Sequence, residues 1–190
     1  MTRILAVTNQ KGGVGKTTTS VNLAASLAAA RRRVLLVDLD PQGNATMGSG
    51  VDKRTLPHTV YQVLLGSRSV PEVSVHSTSG KYDLVPANRE LAGAEIEMVD
   101  LPQRETRLKE ALREVEQNYD FILIDCPPAL NLLTLNGLCA AYAVMIPMQC
   151  EYYALEGLSD LVNTIKKVRA NLNPALEIEG LLRTMFDPRN

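Results

Sequence analysis

The stretch Thr8-Asn9-Gln10-Lys11-Gly12-Gly13-Val14-Gly15-Lys16-Thr17-Thr18 constrains the fold of this chain more than any other. An apolar run, Ile4-Leu5-Ala6-Val7, precedes it, and an Ala-rich segment from Ser20 to Ala30 follows. Strand, glycine loop, helix is the context in which a backbone cradle for phosphate forms. Glycines at 12, 13 and 15 let the chain turn tightly and aim successive N–H groups inward. The helix starting near Lys16 brings the positive end of its dipole to the same point. Lys16 then reaches the β- and γ-phosphates of a nucleotide, and the Thr17 hydroxyl takes a place on Mg²⁺.

The usual loop pattern, G-x-x-x-x-G-K-[ST], requires glycine five residues before Gly15, and Gln10 stands there. The loop as written, K-G-G-V-G-K-T-T, resembles the deviant Walker A motif of the ParA/MinD class of P-loop ATPases. Lys11 is the signature lysine of that class. The resemblance makes Lys11, Gly12, Gly13, Val14, Gly15, Lys16, Thr17 and Thr18 the nucleotide-binding residues, with ATP and Mg²⁺ as cofactors.

Length and composition bound the rest. A chain of 190 residues suits one domain with a sizeable core. Its 45% hydrophobic and 22% charged residues are ordinary for a soluble globular protein. No apolar run reaches the ~18 residues of a membrane span, and the first strand starts too early to leave room for a signal peptide. Cys126, Cys139 and Cys150 lack metal-type close pairing and read as reduced, cytosolic thiols. A net charge of −1 gives no global basic footprint, so any DNA contact must come from a local patch.

Further strands are expected at Val34–Val37, Lys81–Pro86, Tyr119–Ile124, Ala143–Met148 and Leu176–Met185. Helices are expected at Val60–Leu65, from Asn88 to about Val99, and over Gln103–Gln117, Leu130–Ala141 and Glu151–Leu172. The last of these turns Leu155, Leu158, Leu161, Val162, Ile165 and Val168 inward. Gly157 within it permits close packing, at a cost of about 1 kcal/mol against alanine. The basic triplet Arg31-Arg32-Arg33 is read as closing the first helix against its dipole. His58 and His76 have no evident partner and are not read as ligands. Alternating strands and helices with right-handed crossovers make an α/β, doubly wound, mainly parallel sheet with helices on both faces.

Ligands of open α/β sheets lie beyond the carboxyl ends of the strands. The second strand ends there in Asp38-Leu39-Asp40-Pro41-Gln42-Gly43-Asn44, and another ends in Asp125-Cys126-Pro127-Pro128. An aspartate closing an apolar strand is the Walker B arrangement, and Asp125 would hold Mg²⁺ through a water. VDLDPQGN resembles the family's switch I segment, which assigns Asp40 to orienting the attacking water and Asp38 to the magnesium shell. Asp125 to Pro128 resembles switch II, a loop stiffened by its prolines and sensitive to the γ-phosphate.

The resemblance covers nearly the whole chain, which reads as the first three quarters of a ParA-type protein: a single P-loop domain ending early. It implies a slow, partner-stimulated ATPase acting in chromosome or plasmid partition, with Lys11, Lys16 and Asp40 as its catalytic residues. ATP would bring two copies face to face, Lys11 of each reaching the other's nucleotide, and Gly12 must be small where the backbones meet. The ATP dimer would bind double-stranded DNA non-specifically, with Arg189 contributing, and a ParB-type centromere-binding partner would stimulate hydrolysis. Cytoplasmic, nucleoid-associated localisation follows, with no membrane partner. The alternatives are a MinD-like membrane-cycling ATPase, which needs a C-terminal amphipathic helix, and a nucleotide-binding adaptor without hydrolysis. No helix-turn-helix precedes the first strand, so operator binding is not expected. Cysteines do not stand where a nitrogenase-reductase-like cluster would need them.

Overall fold

The computed structural model describes residues 2–150, 154–187 and 189, with the side chains of residues 154–156 outside that description. In chain order the elements are β1 (Arg3–Val7), α1 (Lys16–Ala29), β2 (Val34–Asp38), α2 (Asn44–Gly48), α3 (Val60–Leu65), α4 (Val70–Val73) and β3 (Val75–Ser77). They continue with β4 (Tyr82–Val85), α5 (Leu91–Glu97), α6 (Arg107–Arg113), β5 (Phe121–Asp125), α7 (Leu132–Ala140), β6 (Ala143–Gln149), α8 (Ala154–Asn171) and β7 (Glu177–Thr184). A single seven-stranded sheet runs β3-β4-β2-β5-β1-β6-β7. Every pairing is parallel except β3 with β4.

The continuous apolar strands are explained by burial on both faces. Side chains alternate across a strand, so Leu5, Val34, Leu36 and Leu123 pack beneath α1, alongside Ala24. Ile4, Ala6, Leu35, Val37, Ile122 and Ile124 enter the larger core on the opposite face, with α3, α5, α6, α7 and α8. Each fully buried aliphatic side chain contributes about 1.5–3 kcal/mol. The same parity puts Asp38 and Asp125 on the α1 face, where β2 and β5 pair them directly.

Several boundaries differ from the sequence expectation for identifiable reasons. Gln103 has φ 54, which stops a helix beginning there, and the turn carbonyl of Arg104 accepts Asn136 Nδ2 at 2.8 Å. Hence α6 is seven residues long, followed by a 3-10 turn at Glu116–Asn118. Asn88 closes a turn, accepting Glu90 N–H, and α5 starts only at Leu91. The arginine triplet lies outside the last turn of α1: Arg31 takes the left-handed position after it, and Arg33 pairs with Asp120 at 2.9 Å. His76 faces Asp83 across the β3–β4 pair at 2.8 Å. The expected start of the long helix, Glu151, and the side chain of Leu155 lie outside the described residues, while Leu161, Ile165 and Val168 are buried.

Close packing sits at Gly137 rather than Gly157. A Cβ on Gly137 would meet Cys126 Sγ at 2.8 Å and Ile124 and Leu39 at 3.4 Å, whereas one on Gly157 would meet nothing within 4 Å. This glycine sets the approach of α7 to the segment that follows β5. Gly137→Ala is therefore expected to destabilise by about 1–3 kcal/mol, lowering Tm by several degrees. Gly157→Ala is expected to stabilise by up to about 1 kcal/mol. Thermal melts of the two variants check this, and a Gly137→Ala protein as stable as the parent would contradict the packing described.

Candidate nucleotide site

The site lies where β1, β2 and β5 end side by side. Leaving β1, Thr8 donates its N–H to Met145 O at 3.2 Å, and Asn9 Nδ2 donates to Pro147 O at 2.7 Å. Asn9 Oδ1 accepts Lys11 N–H at 3.0 Å, starting the loop's turn. Gly13 and Gly15 have φ 73 and 89, a left-handed conformation that side chains disfavour. Gly15 is also the residue that caps α1. At the far side of the loop, Thr184 Oγ1 donates to Val14 O at 2.8 Å, so β7 braces it as well.

Lys16, the first residue of α1, is buried and donates from Nζ to Lys11 O at 3.0 Å. Burial lowers its pKa, against the pull of Asp125 and Asp40, so the ammonium sits in a place that asks for negative charge. Asp125 is buried at the tip of β5, accepting the Thr17 hydroxyl on Oδ2 and the Ser20 hydroxyl on Oδ1, each at 2.8 Å. Burial raises its pKa to about 6 despite those donors.

Asp38, fully buried beside it, accepts Thr46 N–H at 2.8 Å and the Thr46 hydroxyl at 2.7 Å on Oδ2, and Asp40 N–H at 3.1 Å on Oδ1. Burial, then the neighbouring Asp125, push its pKa up to about 7. Both its oxygens are thus engaged by the chain that follows β2, and the Thr46 hydroxyl in turn accepts Ala87 N–H at 2.9 Å. Asp40 is half-buried and accepts Gln42 N–H at 2.9 Å. Gly43, with φ 60, has no space for a Cβ, which would lie 2.6 Å from Ala87 O.

The structure therefore brings Lys16, Thr17, Asp38, Asp40 and Asp125 together at one end of the sheet. Gly12 lies exposed on the loop, where an added Cβ would meet nothing within 4 Å, and Lys11 is exposed next to it. Arg189 is also exposed and forms an ion pair with Asp187 at 2.8 Å. Sequence reasoning missed Ser20 and Thr46. Ser20 stands three residues after Thr17, the spacing that shares a helix face, so its role was readable in principle. Nothing local marks Thr46.

The acidic strand tips are held with their charge disfavoured, beside hydroxyls and a buried ammonium. That donor set suits a hard divalent cation, which prefers oxygen ligands, next to a phosphate on the loop.

Residues 2–178 match a family model described as AAA domain. The chain is 57% identical over 189 residues to the sporulation initiation inhibitor protein Soj of Bacillus subtilis, covering 100% of this chain and 75% of that protein. It is 57% identical over 188 residues to the chromosome partitioning protein ParA of Myxococcus xanthus, covering 98% of this chain and 66% of that one. Among solved structures, it resembles a cobyrinic acid a,c-diamide synthase from Mycobacterium smegmatis with bound ADP and magnesium. That match has TM-score 0.97 and 47% identity over 100% of this chain and 77% of the other. The fold and loop define a P-loop protein of the deviant Walker A class. Within that class the chain belongs to the ParA/Soj family.

The buried Asp38–Thr46 pair makes a direct test. Thr46→Val leaves a buried carboxylate short of a donor and Ala87 N–H short of an acceptor, costing about 2–4 kcal/mol. Thr18→Val, exposed on α1 nearby, should change stability by about 0.5 kcal/mol or less. Equal thermal melts for the two variants would contradict the structural role given to Thr46.

Proposed function

We propose that the chain is a Mg²⁺-dependent ATPase acting as a dimerising switch in chromosome or plasmid partition. The observation that carries this is the bridge from Thr17 and Ser20 of α1 to Asp125 of β5, beside the buried Lys16. A loop hydroxyl and a strand-end carboxylate held together are the two protein groups a nucleotide-bound Mg²⁺ needs. The Mycobacterium smegmatis neighbour, solved with ADP and magnesium, supports the same cofactors here.

In this reading the loop amides and Lys16 would hold the β- and γ-phosphates, Thr17 would take a place on Mg²⁺ with Asp125 holding it through a water, and Asp40 would orient the attacking water. When bound, Mg²⁺ would supply positive charge against the charge developing on the terminal phosphoryl group. Asp38 contributes to the cation's surroundings by fixing the segment from Asp40 to Thr46, whose N–H groups and hydroxyl it holds. Lys11 reaches the nucleotide of a second copy as a finger in trans. Gly12, with open space around it in the single chain, has its reason for being small in that contact.

The ATP dimer binds double-stranded DNA through phosphate contacts, Arg189 among them, and a ParB-type partner stimulates hydrolysis. The protein then works in the cytoplasm on the nucleoid. Among the described residues no helix is long and apolar enough to cross a membrane.

Lys16→Ala is expected to abolish nucleotide binding in calorimetry. Asp40→Ala is expected to keep ATP and accumulate as a dimer in light scattering, with hydrolysis reduced at least about tenfold. DNA binding should appear only with ATP and fall steeply with salt. Normal hydrolysis by Asp40→Ala would remove the water-positioning role. ATP-dependent binding to liposomes instead of DNA would favour the membrane-cycling alternative.

A further inference from the structure

Gln10 stands where the usual phosphate loop has glycine, and the contacts that build the loop leave its side chain unused. It is half-buried, and its amide nitrogen Nε2 is shielded from solvent without a hydrogen-bond partner. The residues around it are committed. Asn9 bonds Pro147 O and Lys11 N–H, and the Lys11 carbonyl accepts the Lys16 ammonium. A carboxamide nitrogen carries two N–H donors, and folded proteins rarely leave such a group buried and unmatched. An exception beside a binding loop indicates a missing acceptor.

The surroundings specify that acceptor. The start of α1 and the Lys16 ammonium, which reaches the carbonyl of Lys11 next to Gln10, lie at this loop, so an anionic oxygen is what the neighbourhood attracts. Gln10 lies at the β1 end of the loop, and β1 runs between β5, whose Asp125 pairs with Val7, and β6, whose Met145 and Pro147 carbonyls accept from Thr8 and Asn9. The acidic tip of β5 is thus next to the strand from which Gln10 leaves, and a terminal phosphoryl group and its cation belong beside that tip. The opposite end of the loop is closed by Thr184 on Val14.

We propose that Gln10 reads the terminal phosphate: its amide donates to an oxygen of the last phosphoryl group of a bound nucleoside triphosphate, so the site distinguishes triphosphate from diphosphate partly through this residue. The inference rests on the nucleotide reading above. It gives the departure from the usual loop pattern a chemical purpose. Glycine at this position has no side chain to sense whether the terminal phosphate is present.

Gln10→Met keeps the length of the side chain and removes the donor; Gln10→Glu replaces it with negative charge. Calorimetry on the 190-residue chain with Mg²⁺ would compare ADP with a non-hydrolysable ATP analogue. Gln10→Met should weaken the analogue about 10- to 100-fold, the worth of a hydrogen bond to a charged group, and leave ADP within about threefold. Gln10→Glu should weaken the analogue further. Without nucleotide, Gln10→Met should melt no lower than the parent, because an unmatched buried donor has been replaced by an apolar group. A ratio of analogue to ADP affinity unchanged in both variants, or a parallel loss of both nucleotides, would overturn the proposal. Failure of the parent chain to take up either nucleotide would instead overturn the nucleotide reading itself, so the two failures are distinguishable.

Discussion

The carboxylate of Asp125 is the point through which the rest of the site is tied together. It stands at the end of the strand between β1 and β2, and holds the first turn of α1 through two hydroxyls. A buried carboxylate with its charge disfavoured is costly unless donors or a cation compensate. Thr17 and Ser20 supply part of that compensation. The geometry of the loop follows, because α1 cannot shift without leaving Asp125 unmatched, and Gly15 must then take its left-handed turn to enter the helix.

A second buried carboxylate extends this constraint to the segment after β2. Asp38 holds Thr46 and Asp40, and Thr46 reaches Ala87 after β4. The ends of β2 and β4 are thereby joined through one aspartate and one threonine, beside Asp125 at the end of β5. The backbone adds to this, since Leu39 N–H donates to Asp125 O at 2.9 Å. Any change in the charge around Asp125 would be felt by the segment carrying Asp40. That is the physical basis for regarding this loop as responsive to a bound phosphate and cation.

What could be read from the sequence was whatever depends on short stretches. The glycine loop, the apolar runs of β2 and β5 and the aspartates at their ends are local patterns, and each appears within two residues of its expected place. The elements that escaped notice are short and depend on distant partners. The five-residue helix α2 forms where Asp38 captures Thr46, and β3 exists because β4 offers an edge to it. The engagement of Asp38 by the chain after it was equally invisible locally. Period-two alternation from Val34 and Leu36 does predict that Asp38 faces α1, but not what it binds there. Gly137 shows the same limit: its tight contact with Cys126 depends on two segments meeting, while Gly157, expected to pack closely, has open space around it.

In the proposed function, these strand-tip carboxylates and the Thr17 hydroxyl form a site for a nucleotide together with a divalent cation. Calorimetric titration of ATP into the chain, with Mg²⁺ and again with a chelator, probes that pairing of nucleotide and cation. Stoichiometric uptake that weakens at least about tenfold when Mg²⁺ is removed is expected. Equal uptake under both conditions, or none by folded protein in either, would contradict it.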